Sequence, residues 1–199
     1  NTIGEDKELE KTLKGKTYIC TVGRPSFQKN LEMLIKAFEA VAKNNSNVQL
    51  FIIGAGEYSP RKEKIIQMIN KRNLNNRITI LPWISRRQVQ SYIKNAKLYV
   101  SSSRYEGMPY SVIESMALSR PSVLTNTDGN RDLVIDKKSG FLVEVGDDLE
   151  MANKIITLLI DNKLRNSFAL QAKKLFIKNH LLSDYLEKLT GHYQKTIKK

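Results

Sequence analysis

The chain has 199 residues, 41% hydrophobic and 27% charged, enough for one well-buried domain and without any run of eighteen apolar residues, so no transmembrane helix is expected. Its formal net charge is +13, but the cations are scattered in small groups such as Arg61-Lys62, Arg86-Arg87 and Lys173-Lys174. With no long basic block interleaved with aromatics, nucleic acid is not an expected partner; phosphorylated ligands or anionic lipid headgroups are the better match.

Residues 1–16 begin with neither Met nor an apolar signal core and read as a lead-in from a larger protein. An apolar run over 18–22 predicts a first strand, ending at Gly23. It contains the one cysteine, Cys20, which reads as a buried structural thiol in a reducing cytoplasm. A helix follows from about Asn30, the expected N-cap, with Leu31, Leu34, Ile35, Phe38 and Val41 on one face. A second strand over 48–53 stops at Gly54-Ala55-Gly56, and helix-like sequence runs over 61–72. The third strand, 78–81, turns at Pro82-Trp83. Ser85 then caps a helix that turns Val89, Tyr92, Ile93 and Ala96 inward.

The fourth strand covers 98–102 and leads through a Gly-Met-Pro turn into a helix over about 110–119. A fifth strand, 121–125, ends in the turn-rich residues 126–129; a short helix near 131–135 precedes a sixth strand over 140–143. From Asp148 the pattern is helical, with breaks near Asp161-Asn162 and Asn179-His180. Short apolar runs alternating with 3.6-period stretches predict a Rossmann-like, three-layer α/β/α domain over 17–180, with a mainly parallel six-stranded sheet and a C-terminal helix over 181–199. Ligands of such sheets bind beyond the carboxyl ends of the strands. The loops to inspect therefore follow Val22, Ile53, Leu81, Ser102 and Thr125.

Chemistry falls on those loops. Arg24 and Lys29 stand five residues apart at a strand-to-helix turn, where two cations can flank a diphosphate and screen a departing phosphate; two solvated surface cations are the plainer alternative. Gly54-Ala55-Gly56 lacks the third glycine of a dinucleotide fingerprint and lies on the wrong strand for it, so NAD and FAD are set aside. After the third strand, backbone near Ile84 can meet a base edge, whereas core filling is the favoured role of the Trp83 ring. Glu106 and Glu114 bracket Gly107-Met108-Pro109. Pro109 belongs at a helix entry, so Glu106 projects from the loop and Glu114 lies about a turn into the helix. Carboxylates at such places accept hydrogen bonds from vicinal hydroxyls, and the amides of a helix start attract phosphate. Paired carboxylates also suggest glycoside hydrolysis, which needs no Arg/Lys pair on a neighbouring loop. His180 and His192 fall in the helical tail, and no transition-metal cluster is visible.

With those residues in place, the chain resembles the C-terminal, nucleotide-sugar-binding domain of retaining glycosyltransferases of family 4, which have the GT-B fold. Val22-Gly23-Arg24 with Lys29-Asn30, the strand into Gly54-Ala55-Gly56, the span from Ser102 through Glu106 to Glu114, Arg120-Pro121 and Gly140-Phe141 match its motifs in order over about 18–145. The resemblance implies that Arg24 and Lys29 bind the donor diphosphate and stabilise the leaving group without a metal. It further implies that Glu106 binds the transferred sugar, that Glu114 binds the ribose, and that Gly23 and the backbone of Gly107, Met108, Pro109, Tyr110 and Ser111 line sugar and phosphate. Trp83 and Ile84 would meet the base. No cofactor is implied; a UDP-sugar is the favoured donor and a GDP-sugar the next.

Ser119-Arg120 and Asp132 depart from the family's usual Gly and Glu. An N-terminal acceptor-binding domain is the expected partner, and this part alone is expected to bind donor but transfer little or nothing. Cell-surface polysaccharide or glycolipid synthesis at the cytoplasmic face of an anionic membrane is the expected setting. Two alternatives remain open: a sugar-nucleotide epimerase-like domain, which would want a histidine on the cleft loops, and a non-catalytic nucleotide- or polyanion-binding module.

Overall fold

The computed structural model describes residues 6–181 and, beyond them, residues 183, 186, 189, 190, 193 and 194. The first five residues, and most of the expected 181–199 helix including His192, lie outside the described residues. Six strands appear: β1 (Tyr18–Val22), β2 (Gln49–Ile53), β3 (Ile78–Leu81), β4 (Leu98–Ser101), β5 (Ser122–Thr125) and β6 (Gly140–Val143). They form one sheet in the order β3-β2-β1-β4-β5-β6, with every pairing parallel. The helices are α1 (Lys7–Leu13), α2 (Leu31–Asn44), α3 (Lys62–Lys71), α4 (Arg86–Asn95), α5 (Tyr110–Ala117), α6 (Asp128–Arg131), α7 (Asp148–Ile160) and α8 (Asn162–Asn179).

A parallel sheet needs helical crossovers, and these cover both faces, which is why the strands read as near-continuous apolar runs. Alternation along each strand then divides the core in two. Ile19, Leu50 and Ile52 pack with Leu34, Phe38, Ile65, Ile155 and Leu158 under α2, α3 and α7. Tyr18, Cys20, Phe51 and Ile53 pack with Ile93, Val112 and Met116 under α4 and α5. Each side chain so buried contributes about 1.5–3 kcal/mol. Among the described residues no helix is long and apolar enough to cross a membrane.

Most expected elements stand within a residue or two of their predicted bounds, and three local readings change. Asn30 precedes α2 as predicted, but its left-handed backbone (φ 48°) buries the side chain and it makes no capping bond; its amide nitrogen lies 3.6 Å from Met33 Sδ. The short helix expected near 131–135 is α6, three residues earlier, because the Asp128-Gly129 pair read as a turn continues helically: Arg131 N–H bonds Thr127 O and Asp132 N–H bonds Asp128 O. The residues before β1 carry a helix that the apolar pattern did not reveal. Asp6 caps α1 by accepting from Leu9 N–H, and Leu9 and Leu13 join the α4 side of the core. Ser85 caps α4 as expected, through a capping box with Gln88.

Candidate functional site

Strand order reverses between β1 and β4, so the loops after these two strands diverge and open a crevice at the carboxyl edge of the sheet. The first carries Gly23, Arg24 and Lys29; the second carries Glu106. They meet across the crevice: Lys29 Nζ lies 2.5 Å from Glu106 Oε1. The carboxylate side chain is only 7% exposed and the ammonium 22%. Ser103 Oγ donates to the same oxygen at 2.7 Å, and Gln28 Nε2 makes a longer contact of 3.4 Å with Oε2.

Backbone ties hold the two loops in register. Ser102 Oγ donates to Lys29 O and Asn30 O, and Arg104 N–H donates to Gln28 O. The Lys29 stem crosses directly over Gly23, where a Cβ would sit 2.9 Å from Lys29 Cε, so a side chain there would push the flexible lysine stem aside; the backbone (φ 155°) is also one that other residues rarely adopt. Arg24 is exposed and makes no hydrogen bond or ion pair among the described residues, which leaves its charge available at the mouth of the crevice.

Glu114 sits in the second turn of α5, and its Oε1 accepts from Arg86 Nε at 3.1 Å. Arg86 is 79% exposed, which makes this a weak surface contact. No side chain caps α5, so its first amides are open at the crevice. Tyr99 holds that helix start from below. Its hydroxyl donates to Ser111 Oγ at 2.8 Å and accepts from Val22 N–H at 3.4 Å, joining β1, β4 and α5. Burial pushes the Tyr99 phenol above its ordinary range and the Cys20 thiol up to about 12, so neither ionises near neutrality. Cys20 is the structural thiol expected. Met108 and Tyr110 are exposed at the lip, while Pro109 is buried under it.

Trp83 corrects the sequence reading. Core filling was favoured for its ring, yet the residue is 74% exposed, and its Nε1–H donates to Gly54 O at 2.9 Å. β3 is an edge strand, so the loop leaving it at Pro82 has no neighbouring strand on its outer side, and the indole lies against Gly56 over the β2–α3 turn. Ile84 packs against the α4 side of the core.

The expected residues thus gather at one edge, but the direct Lys29–Glu106 contact and the parts played by Gln28, Ser103, Tyr99 and Arg86 were not foreseen. Only Ser103, three residues before Glu106, left a local signal. Among the described residues no group of three or more His, Cys, Asp or Glu side chains gathers to hold a metal ion. A cavity of ≈ 380 Å³ lies elsewhere, before the amino end of β6, between Lys137, Lys138 and residues of α8 such as Gln171.

The family described as Glycosyl transferases group 1 matches residues 3–175. The chain is 32% identical over 161 residues to the poly(ribitol-phosphate) alpha-N-acetylglucosaminyltransferase of Staphylococcus aureus (strain COL), covering 80% of this chain and 32% of that protein. The S. aureus TarM structure determined with fondaparinux, alpha-GlcNAc-glycerol and UDP has a TM-score of 0.80 at 30% identity, covering 88% of this chain and 35% of that one. The C-terminal domain of the group 1 protein LpcC from Francisella tularensis has a TM-score of 0.79 at 23% identity, covering 87% of this chain and 91% of its own. The chain spans about a third to a half of the length of the curated relatives it matches.

Proposed function

The chain belongs to the Glycosyl transferases group 1 family, and from that premise we propose that it is the donor-binding domain of a retaining family 4 enzyme, moving a hexosyl group from a nucleoside diphosphate sugar to an acceptor hydroxyl. The observation that carries this reading is the Lys29–Glu106 contact at the strand reversal, with Arg24, which has no ion pair among the described residues, on the same loop as Lys29. A buried carboxylate and two cations at one crevice suit a ligand that is a polyol at one end and a dianion at the other.

The diphosphate draws Lys29 and Arg24, and the amides opening α5 add their partial positive charge. As the anomeric C–O bond breaks, negative charge grows on the leaving phosphate and these cations screen it, with no metal required. Glu106 accepts from hydroxyls of the transferred sugar and thereby fixes the ring against the crevice. Glu114 accepts from the ribose hydroxyls, displacing the exposed Arg86. Trp83 and the backbone at Ile84 face the base. The acceptor oxygen forms its bond on the face that the phosphate leaves, and its proton passes to that phosphate.

UDP is the favoured nucleotide, supported by its presence in the TarM structure that this chain resembles at 30% identity; GDP is next. An acceptor-binding domain supplies the remainder of the active site, so the chain alone binds donor and transfers little. The +13 charge suits work beside an anionic membrane on its cytoplasmic face, in the assembly of a surface polymer or glycolipid.

The test is thermal shift in chelator against UDP, GDP, ADP, CDP and TDP, with Arg24→Ala and Glu114→Ala alongside. A ligand at a hundred times its Kd adds about 2.7 kcal/mol to the folded state. One nucleotide should stabilise the wild type and both variants should lose the effect. Equal shifts from all five, abolished by moderate salt, would instead indicate a general polyanion surface.

A further inference from the structure

The end of β5 and the start of α6 hold none of the side chains assigned to the donor, yet together they grip the Glu106 loop at two backbone points. Thr125 Oγ1 donates to Ser103 O at 2.6 Å, and Gly129 N–H donates to Glu106 O at 3.0 Å. The two are tied to each other, because fully buried Asn130 of α6 donates to Thr125 O at 2.8 Å. A Cβ on Gly129 would lie 2.1 Å from Gly107 O, 2.7 Å from Gly107 C and 2.8 Å from Glu106 O. Real Cβ atoms essentially never come within 3.0 Å, so any side chain at position 129 drives the Gly107 carbonyl back by about 1 Å.

Gly107 is exposed, so the Glu106 loop can move outward only against the ties that hold it. Its other side is held to the β1–α2 loop by Ser102, Arg104 and the Lys29–Glu106 contact. A displacement at Gly107 therefore moves the peptide from which the Glu106 side chain springs. Nothing comparable touches Glu114, which is carried by α5, or Arg24, which is on another loop.

We infer that Gly129 is a positioning residue for the sugar half of the donor site: its missing side chain seats the Glu106–Gly107 peptide and so aims the Glu106 carboxylate. In the nucleotide half Arg24 and Glu114 stand apart from it, and Lys29 is the diphosphate-binding residue that touches Glu106. This rests on the donor-binding reading above, whereas the clamp itself is a statement about geometry and has its own readout.

Two measurements on Gly129→Ala separate the two. Hydrogen exchange without ligand should speed up across residues 103–109 while the middle of α7 keeps its wild-type protection; unchanged exchange at 103–109 overturns the clamp. Affinities for UDP, UDP-glucose and UDP-N-acetylglucosamine come next. The wild type should bind one sugar nucleotide more tightly than UDP. Gly129→Ala should keep its UDP affinity within about twofold yet lose that gain by about tenfold, the loss of a charge-assisted contact. A variant that keeps the gain, or a wild type that binds UDP but gains nothing from either sugar, overturns the sugar role. A wild type that binds no nucleotide overturns the donor reading, and exchange alone then decides the clamp. Should Gly129→Ala fail to fold, Thr125→Val removes the other tie and takes both measurements, with a smaller loss expected in the same direction.

Discussion

Removing one partner from the Lys29–Glu106 pair gives opposite ligand responses depending on which partner goes. Glu106→Gln keeps the shape but takes the countercharge from an ammonium only 22% exposed, close to the start of α2, whose amides repel it. Breaking a fully buried pair costs 3–5 kcal/mol. With Lys29 partly in water, about 1–2 kcal/mol is the fitting figure, which for a chain of this size is about 3–6 °C in Tm. Lys29→Met should cost about as much, since it strands a carboxylate that is 7% exposed with only Ser103 and Gln28 for support. Added UDP then divides the two. Its phosphates replace the missing anion beside Lys29, so Glu106→Gln should keep or enlarge the wild-type UDP shift, whereas Lys29→Met should lose most of it. The assay is thermal and urea unfolding of both single variants and the double variant, with and without UDP. Single-variant effects that add within about 0.3 kcal/mol would refute the coupling. A UDP shift retained by Lys29→Met would refute the phosphate role.

Three further outcomes are expected. Glu32 accepts from Arg61 and lies 3.3 Å from Lys64; burial raises its carboxyl, but its hydrogen bonds outweigh this and hold it below the ordinary carboxylate range. Its stabilisation is therefore present above the unfolded value of about 4.3 and is lost as pH falls through the lower folded value. Glu32→Gln should cost about 1 kcal/mol at pH 7, the size of a net hydrogen bond, and progressively less as the pH falls below about 4.3 in urea unfolding, and a gap that does not shrink in acid would contradict the assignment. Ser119 ends α5 in the left-handed region (φ 56°), with Arg120 N–H bonded back to Ser115 O. Ser119→Gly should stabilise by about 0.5–1 kcal/mol, and a destabilised variant would show that the serine side chain has an unseen partner. Trp83 is the one tryptophan and is largely exposed, so native and unfolded emission maxima should differ little, and bound nucleotide should shift the native one; a strongly blue-shifted native spectrum would restore the core-filling reading.

The six strands, their alternation with helices and the loops that carry Arg24, Lys29, Glu106 and Glu114 were legible because each is written within a few residues. An apolar run, a glycine that ends it and a 3.6-period face all act locally. Even the Ser85 cap was legible, since its partner Gln88 is three residues away. Helix α1 was not, because its seven residues gain their stability from α4, through Asp6 N–H to Ser91 Oγ and Glu10 to Lys94. A helix that short has little stability of its own to write into its sequence.

What the chain alone determined, then, was which loops face the crevice and which charges they bring. Tertiary structure decided the rest. It placed Lys29 on Glu106 across 77 positions of sequence, because the strand order turns back between β1 and β4. It left Trp83 in solvent, because β3 is an edge strand with no neighbouring strand on its outer side. It also made Gly129 a backbone contact of Gly107, 22 residues away. Close approach between distant segments has no periodicity and no local composition; it exists only once the sheet has set the loops side by side.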